Sequence, residues 1–493
     1  MFGLALSGCV LTGQKSGAPL GSIGHVLGFI GGVATEGPRA TLIARNILSA
    51  GGTAADAAVA AAFMLTVTYP VAASLAGGGR CLVFDGERET VGYFDFPVRP
   101  PAGGGTVPVP GLVRGLALLH AEHGRLPWSQ LVAPAEQVAR FGERVTRAYA
   151  RVLREPGVMA RLSPAARTAL AVGPDGQVLD EGAPHLHPEL ASTLSRIRLA
   201  GAGDFYSGLL ARSFVDAVDD LGGTVTMDEM RSYRIDTGTP EARPFDAFEV
   251  YFDPADSARM LAVWDKVVER RPALIADGAD LSALPAALLS VAPAGLGDGM
   301  PNLAGIGATT IAVADREGQS VACSLEVGPP FGSGLYARAV GTLLPAMPTT
   351  GAFSEASLAV IGSEKSWRSR GAYGAASGLP GGATASLLET MLPMLADDAT
   401  AAQAQGQPRF VPLPGGTGFA VEGASAAAGI AVTELPAEMR QALSGTGRPL
   451  TRVERIGRVN IAYCADGIPV DDDELCYFAH DPRGHGLGAG YSF

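Results

Sequence analysis

Hydrophobic and polar positions in the first half of the chain recur mainly with a helical period. Apolar residues three and four positions apart predict amphipathic helices, and glycine pairs and prolines mark where these helices end. An alanine-rich helix among them carries side chains small enough for close packing on both sides. Predicted helices cover 36–48, 54–67, 109–154 and part of 205–235, and the alternating runs at 80–85 and 90–96 predict a β-hairpin.

The pattern changes after residues 273–307, a stretch rich in Pro, Gly and Ala with weak periodicity that predicts a mobile linker. Two alternating runs beyond it, ATTIAVAD and QSVACSLEV, flank a short turn and predict a second hairpin. SLAVIGS predicts a strand, PGGATASLLETMLPML a glycine turn leading into a helix, and the C-terminal segment a closing hairpin. Helices before the linker and strands after it predict one layered α/β sandwich.

Composition and charge narrow the class of protein. The chain has 493 residues, and 47% of them are hydrophobic, which excludes a disordered chain. The 49 acidic residues outnumber the 37 basic ones and give a net charge of −12, which argues against a nucleic-acid partner because no basic field attracts phosphate. The longest apolar run, 54–67, contains Asp56, so no membrane-spanning helix is predicted.

The first residues, MFGLALSGC, predict a lipid anchor. Residues 6–9 match a bacterial lipobox, in which an apolar residue and two small ones precede the cysteine that receives the lipid. We therefore expect a lipoprotein signal remnant at 1–9, lipidation at Cys9 and a flexible tether at 10–30. This interpretation places the protein in a bacterial periplasm; the alternative is a chance match on a short tail.

An oxidising compartment allows cysteines to pair. Cys464 and Cys476 flank the predicted C-terminal hairpin, which favours a disulfide between them. Cys81 and Cys323 lie in apolar strand patterns and are predicted to be small core residues. The chain has no CxxC pair, HExxH motif, GxSxG elbow or Walker A loop, so no metal or cofactor site is predicted from motifs.

A series of longer motifs resembles the γ-glutamyltranspeptidase family, in that family's order, from about residue 31 to the end. GGTAADAAVAAAF and YPVAASLAGGGRCLVFD are similar to the family's first signature, and VPGLVRGLALLHAEHGRLPW, FYSG and GGTVTMDEMRSYR match the next ones. The second half continues the series with ATTIAVADREGQSVACSLEVGPPFGSG, LPGG, PRF and DPRGHGLGAGY.

The resemblance implies an N-terminal nucleophile hydrolase with a four-layer αββα sandwich. Precursors of this family cleave themselves before a threonine, whose hydroxyl becomes the nucleophile and whose α-amine, with a pKa of about 7.7–8.0, becomes the base. One intertwined domain is then expected, with a large-subunit-like part at 31–308 and a small-subunit-like part at 309–493. The two fragments would remain partners, and the resemblance implies no metal ion or organic cofactor.

Two registers are open for the nucleophile. Counted without gaps from the FGSG motif, the family's threonine falls on Ala308, whereas a one-residue deletion places it on Thr309. We predict Thr309; the other readings are Thr310 or no nucleophile, because a shift by one residue exchanges the two faces of a strand. The resemblance also implies that the backbone N–H groups of Gly381 and Gly382 form the oxyanion hole, although a turn leading into a helix explains these glycines equally well.

The expected substrate site departs from the family pattern. Pro97 replaces the arginine that holds the substrate's α-carboxylate, and Arg99 is displaced from that place by two residues. The family's serine pair becomes Ser354-Glu355, and Glu326 stands where a threonine is expected. Because like charges repel, more strongly when partly buried, these changes predict poor binding of a free α-amino acid head group.

The sequence therefore predicts an autoprocessed amidohydrolase or acyltransferase, similar to γ-glutamyltranspeptidases, with an altered substrate preference. Its partners would be a small-molecule amide or peptide substrate and its own two fragments, with no nucleic acid and with membrane contact only through the lipid anchor. The alternative is an uncleaved, inactive relative that serves as a periplasmic binding or scaffold lipoprotein.

Overall fold

Two antiparallel β-sheets packed face to face form the centre of the fold, and helices cover the outer side of each sheet. The computed structural model describes residues 18–268, 280–293, 307–348, 355–423, 435, 437–469 and 475–490. The predicted four-layer αββα sandwich is confirmed. None of the described helices is long and apolar enough to cross a bilayer.

The strands are named in chain order. They are β1 (Gly31–Thr35), β2 (Gly78–Asp85), β3 (Thr90–Phe96), β4 (Glu143–Arg144), β5 (Pro184–His185), β6 (Asp236–Gly238), β7 (Ala242–Phe245), β8 (Phe248–Phe252), β9 (Ala308–Asp315), β10 (Gln319–Glu326), β11 (Tyr336–Ala337), β12 (Thr342–Leu343), β13 (Glu355–Ser363), β14 (Arg368–Ser377), β15 (Phe410–Pro412), β16 (Phe419–Glu422), β17 (Leu450–Val453), β18 (Gly457–Ile468), β19 (Cys476–Ala479) and β20 (Leu487–Gly490).

The α-helices are named in the same way. They are α1 (Pro38–Ser49), α2 (Ala54–Thr68), α3 (Leu112–His123), α4 (Trp128–Phe141), α5 (Arg147–Leu153), α6 (Val158–Arg161), α7 (Pro164–Ala166), α8 (Pro188–Ala200), α9 (Asp204–Ser207), α10 (Leu209–Asp219), α11 (Met227–Ser232), α12 (Ser257–Val267), α13 (Leu284–Leu289), α14 (Gly382–Ala396), α15 (Ala401–Gly406) and α16 (Ala437–Gly445).

Both large sheets combine strands from the two halves of the chain. Sheet A has the order β20–β1–β9–β10–β2–β3–β6, and sheet B has the order β19–β18–β14–β13–β8–β7. All neighbours in these two sheets are antiparallel. The two parts on either side of residue 308 therefore share one hydrogen-bonded core.

Helix α2 packs against sheet A because its side chains are small and it is apolar on every side. All of its 15 residues are buried. Thr53 caps its first turn: the Thr53 side chain accepts a hydrogen bond from the backbone of Asp56, whose carboxylate accepts one from the backbone of Thr53. A helix that is hydrophobic all round is stable only when its neighbours bury it on all sides, as they do here.

Part of the stretch predicted to be a linker is folded. Residues 284–289 form α13, and its side chains Leu284, Ala287 and Leu288 lie in the core beside sheet B. The prediction of a linker was wrong for this segment, because these apolar side chains become buried against distant parts of the chain. Residues 273–279 and 294–306 lie outside the described part.

Two disulfides cross neighbouring strands. Cys464 pairs with Cys476 between β18 and β19, as the sequence favoured. Cys81 pairs with Cys323 between β2 and β10, so the prediction that these two are separate core residues was wrong. Their 242-residue separation hides the pairing from the sequence, whereas the register places them directly opposite each other.

Candidate active site

The beginning of strand β9 carries the three candidate nucleophile positions, and they point to alternate faces of sheet A. Ile311 and Val313, on the same face as Thr309, pack in the core between sheet A and its helices. Ala312 and Ala314, on the opposite face, pack between the two sheets. Thr309 therefore faces the helical layer, whereas Ala308 and Thr310 face sheet B.

Thr309 is fully buried and bonded to a carboxylate. Its Oγ1 donates a hydrogen bond to Oε2 of Glu36, and the backbone N–H of Thr310 donates to the same oxygen at 3.1 Å. Glu36 follows β1 immediately and is only 2% exposed. Its other oxygen, Oε1, lies 3.9 Å from Nε of Arg458. This arrangement holds a proton acceptor against the hydroxyl of Thr309.

Thr310 connects the two sheets. Its Oγ1 donates to the carbonyl of Gly374 in β14 at 2.9 Å and accepts from Nδ2 of Asn460 in β18 at 2.9 Å. A Cβ added to Gly374 would come within 2.8 Å of the Thr310 side chain, so this close approach requires glycine. These contacts give Thr310 a structural role between the sheets.

Ala308 occupies the position that the ungapped register assigns to the nucleophile. It packs with Ala356 of β13 and Ala376 of β14 in a small buried cluster between the sheets. Its cross-strand partner in β10 is Glu326. A methyl group supplies no nucleophile at this position, so only the Thr309 register offers a hydroxyl group at the predicted cleavage point.

The predicted oxyanion-hole donors already have acceptors. The N–H of Gly381 donates to Oε2 of Glu355 at 2.6 Å, and that of Gly382 donates to the carbonyl of Leu379 at 2.9 Å. Gly381 has a φ of 74°, the left-handed conformation that favours glycine, and it precedes α14 directly. This turn starts helix α14, which by itself explains the glycine pair, and the oxyanion-hole role of Gly381 and Gly382 stays a prediction.

Glu355 and Thr309 lie on different sides of the double sheet. Ser357, on the face of β13 that Glu355 shares, contacts Thr384 of α14 at 3.4 Å, so this face is turned toward the helices outside sheet B. The structure thus brings Glu355 to Gly381, but it leaves Thr309 on the helical side of sheet A. In this uncleaved chain the glycine pair is not placed beside the Thr309 hydroxyl.

The carboxyl group of Glu355 lies among charged neighbours. Burial raises its pKa to about 7, and Arg259, whose Nη1 lies 3.8 Å from Oε2, opposes this shift. Asp256 raises the pKa further by charge repulsion. Glu355 therefore changes its protonation state close to neutral pH in the folded protein.

We expect Glu355→Gln to remove one pH-dependent contribution to stability. Because the folded-state pKa of Glu355 lies above the usual value, the folded chain binds more protons than the unfolded chain, and stability falls as pH rises from about 4.5 through 7. The variant should avoid about 2 kcal/mol of this loss. Urea denaturation at pH 5 and pH 8 measures it, and identical pH dependence in both proteins would contradict the expectation.

The remaining predicted substrate residues are distributed over two places. Glu326 lies at the end of β10. Together with Asp253 and Asp95 it outweighs desolvation and raises the pKa of the partly buried Arg80, whose Nε donates to Asp253 at 2.6 Å. Arg99 forms an exposed ion pair with an aspartate at 2.7 Å and is not joined to Glu355. Ser354 and Cys9 lie outside the described residues, and their predicted roles stay predictions.

Comparison with known proteins shows which proteins this chain is similar to. Residues 40–264 match the family model described as gamma-glutamyltranspeptidase. This stretch, 225 of the 493 residues, is similar to the γ-glutamyltranspeptidase family. Glutathione hydrolase 2 of Arabidopsis thaliana is 33% identical over 44% of this chain and 39% of its own length. The glutathione hydrolase proenzyme of Bacillus subtilis strain 168 is 30% identical over 47% of this chain and 43% of its own length.

A solved structure extends the likeness of fold to the whole sandwich. The cephalosporin acylase from Bacillus halodurans superposes with a TM-score of 0.73 and covers 94% of this chain and 96% of its own length, at 19% identity. At this identity the likeness concerns the fold. The sequence matches to the two glutathione hydrolases cover about two fifths of those relatives.

Sequence reasoning missed Glu36, Arg458 and Asn460. Glu36 was noticed only as the first residue of a helical pattern, and nothing near it suggested a partner 273 positions away. Arg458 and Asn460 lie in the alternating pattern of β18, in which a polar residue is ordinarily assigned to the solvent face. The polar residues within the alternating pattern of β18 were the available sign that this strand contributes to a site.

Proposed function

We propose that this chain belongs to the γ-glutamyltranspeptidase family and is an amidohydrolase or acyltransferase that cleaves itself before Thr309. The observation that carries the proposal is the hydrogen bond from the Thr309 hydroxyl to the buried carboxylate of Glu36. A hydroxyl is a weak nucleophile unless a base accepts its proton, and here the base is already in contact.

The contact between Thr309 and Glu36 allows the chain to cleave itself in the following steps. Glu36 accepts the proton of Thr309 Oγ1, and that oxygen attacks the carbonyl carbon of Ala308. The C–N bond between Ala308 and Thr309 breaks, and the nitrogen takes up a proton, which leaves an ester. Water then hydrolyses the ester, so that Ala308 ends in a carboxylate and Thr309 begins a new chain.

The product carries the groups needed for amide chemistry. The freed α-amine of Thr309 accepts the hydroxyl proton while Oγ1 attacks a substrate amide, and the departing amine receives that proton. The acyl group then sits on Oγ1 as an ester and passes to water or to an acceptor amine. Use of the Gly381 N–H as an oxyanion donor requires Glu355 to release it. It also requires the glycine pair and Thr309 Oγ1 to come together, since the uncleaved chain holds them on different sides of the double sheet.

Analysis of the purified wild-type protein tests the proposal. On a denaturing gel, cleavage gives two fragments, 1–308 and 309–493, and N-terminal sequencing of the smaller one begins Thr-Thr-Ile. A fragment that begins at Thr310 would show that the nucleophile is Thr310 instead of Thr309. A single intact chain after prolonged incubation would contradict cleavage.

The proposed substrate preference excludes a free α-amino acid head group. Pro97 stands where the family has its arginine, and Glu355 adds a carboxylate near the glycine pair. We expect turnover of a γ-glutamyl anilide far below the ~10 s⁻¹ usual for enzymes, and faster cleavage of an acyl anilide of equal length that lacks the α-carboxylate. Equal rates for the two anilides in a chromogenic assay would argue against this preference.

An uncleaved binding or scaffold protein is the second candidate. It is favoured by the two hydrogen bonds that occupy the N–H groups of Gly381 and Gly382, since an occupied donor offers nothing to a developing oxyanion. This candidate predicts one intact chain and no acyl transfer with any anilide.

We further propose that the protein is a lipid-anchored periplasmic protein. The paired cysteines Cys81–Cys323 and Cys464–Cys476 support an oxidising compartment. The full-length product should partition into the detergent phase of a Triton X-114 extraction, and Cys9→Ala should release it into the aqueous phase. Mass spectrometry that finds an unmodified Met1 on the purified protein would contradict lipidation.

A further inference from the structure

A small basic cavity lies behind Glu36, outside the predicted substrate positions. Its volume is about 20 Å³, enough for one or two water-sized groups. The lining includes the side chains of Tyr69, Arg151, Arg455, Arg458, Arg483 and His485. Four guanidinium groups and an imidazole around one cavity are unexpected in a chain with a net charge of −12.

Three of these arginines form close ion pairs with carboxylates. Arg151 pairs with Glu454, Arg455 pairs with Glu155 at 2.7 Å, and Arg483 pairs with Glu422 at 2.6 Å. These bonds hold the side chains in place around the cavity.

Arg458 differs from the other three. It is 5% exposed, and its Nη1 donates to the hydroxyl of Tyr69 at 3.2 Å. Its Nε and Nη2 are buried and have no hydrogen-bond partner among the described residues. The nearest carboxylate oxygen, Oε1 of Glu36, is 3.9 Å from Nε, beyond hydrogen-bond distance, and it also lacks a donor. A buried guanidinium with free N–H groups is costly unless a further acceptor binds to it.

The cations of the cavity differ in how their neighbours affect them. At Arg458 the hydroxyl of Tyr69 and the carboxylates of Glu36 and Asp481 outweigh burial and raise the pKa. Burial lowers the pKa of His485, and Arg151, Arg147, Arg455 and Arg458 lower it further. Burial likewise lowers the pKa of Arg455, and Arg458 and Arg151 add to this effect although Glu155 opposes them. A bound anion would offset the part of these two shifts that comes from the neighbouring arginines.

We propose that this cavity is a binding site for a small oxyanion, held by Arg458 with Arg455, Arg151 and His485. The unpartnered Nε and Nη2 of Arg458 lie on one guanidinium edge, which matches the two oxygens of a carboxylate or of a phosphate. Because the cavity holds only one or two water-sized groups, it would take the anionic oxygens that contact Arg458, and the rest of the ligand would lie at its opening. Glu36 separates the site from Thr309, so the site is distinct from the predicted nucleophile and glycine pair.

Thermal unfolding of the full chain tests this site without any need for turnover. Sodium acetate and, in a second series, inorganic phosphate replace sodium chloride at constant ionic strength, and the unfolding temperature is recorded for each mixture. Wild type should show a saturable rise of about 1–2 °C at roughly ten times the dissociation constant. The Thr309→Ala variant should show the same rise, so failure of the proposed catalysis leaves this result unaffected.

Variants assign the effect to the cavity. Arg458→Gln should weaken anion binding by at least about tenfold, because it removes the charged donor. Arg455→Gln, at a partly exposed position, should weaken binding in the same direction and provides the test if Arg458→Gln does not fold. Arg448→Gln, in an exposed turn, is the matched control and should behave as wild type.

The outcomes separate the possible ligands. A rise with both anions identifies a general oxyanion site, and a rise with acetate alone narrows the ligand to a carboxylate; either result supports the proposal. A non-saturating rise, or equal rises in wild type and in both cavity variants, would overturn it.

Discussion

Replacing Thr309 by alanine should leave the protein as one full-length chain and lower amide hydrolysis by about 10⁶-fold, the loss that hydrolases show without their nucleophile. The variant keeps the backbone of β9 and loses the hydroxyl that contacts Glu36. The fold should survive, because a single buried hydrogen bond contributes only about 1–3 kcal/mol when one partner remains. A denaturing gel and a chromogenic amide assay measure the two effects.

Matched variants separate the hydroxyl from other features of this position. Thr309→Ser keeps an Oγ and should still cleave. Thr310→Ala should also cleave, since its hydroxyl bonds to Gly374 on the opposite face, and it should lose stability instead. Glu36→Gln should slow cleavage while it retains the size of the side chain. Cleavage of Thr309→Ala at the wild-type rate would remove Thr309 from the proposal.

The charge network beneath β18 should produce the largest effect on stability. Asp481 accepts hydrogen bonds from Arg409 Nη2 at 2.5 Å, from the backbone of Val459 at 2.9 Å and from the backbone of Arg483 at 2.9 Å. Asp481 and Arg409 are each 1% exposed at their side chains. We expect Asp481→Asn to cost about 3–5 kcal/mol, because it leaves the buried guanidinium group of Arg409 without its carboxylate partner, whereas Arg483 keeps Glu422. Urea denaturation at neutral pH measures the loss.

Acid should reproduce part of this loss in the wild-type protein. Burial opposes ionisation of Asp481, but Arg409 and Arg483 outweigh it and lower its pKa. The contribution is therefore present above the unfolded-state pKa near 3.9 and is lost as pH falls through the lower folded-state value. Glu181→Gln, which removes an exposed partner of Arg147, is the control and should leave the free energy of unfolding almost unchanged. A similar cost for both variants would contradict a buried network.

The candidate site was predictable from sequence only in part. The motif series located the beginning of β9 and the glycine pair, because these segments are local and retain their residue types. The face on which Thr309 lies was not predictable, since a one-residue shift in register reverses every side chain. The acceptor of the Gly381 N–H was not predictable either, because Glu355 lies in strand β13, 26 positions earlier in the chain.

Sequence by itself determined the layered α/β class and the resemblance to the γ-glutamyltranspeptidase family. Periodicity and turn residues act over short distances, and motifs keep their order regardless of how the chain folds. Tertiary structure alone decided the Cys81–Cys323 pair, the contact of Thr309 with Glu36 and the basic cavity around Arg458. Each joins residues more than 200 positions apart, and the physical reason is that sheet order and register, rather than local sequence, set which distant side chains meet.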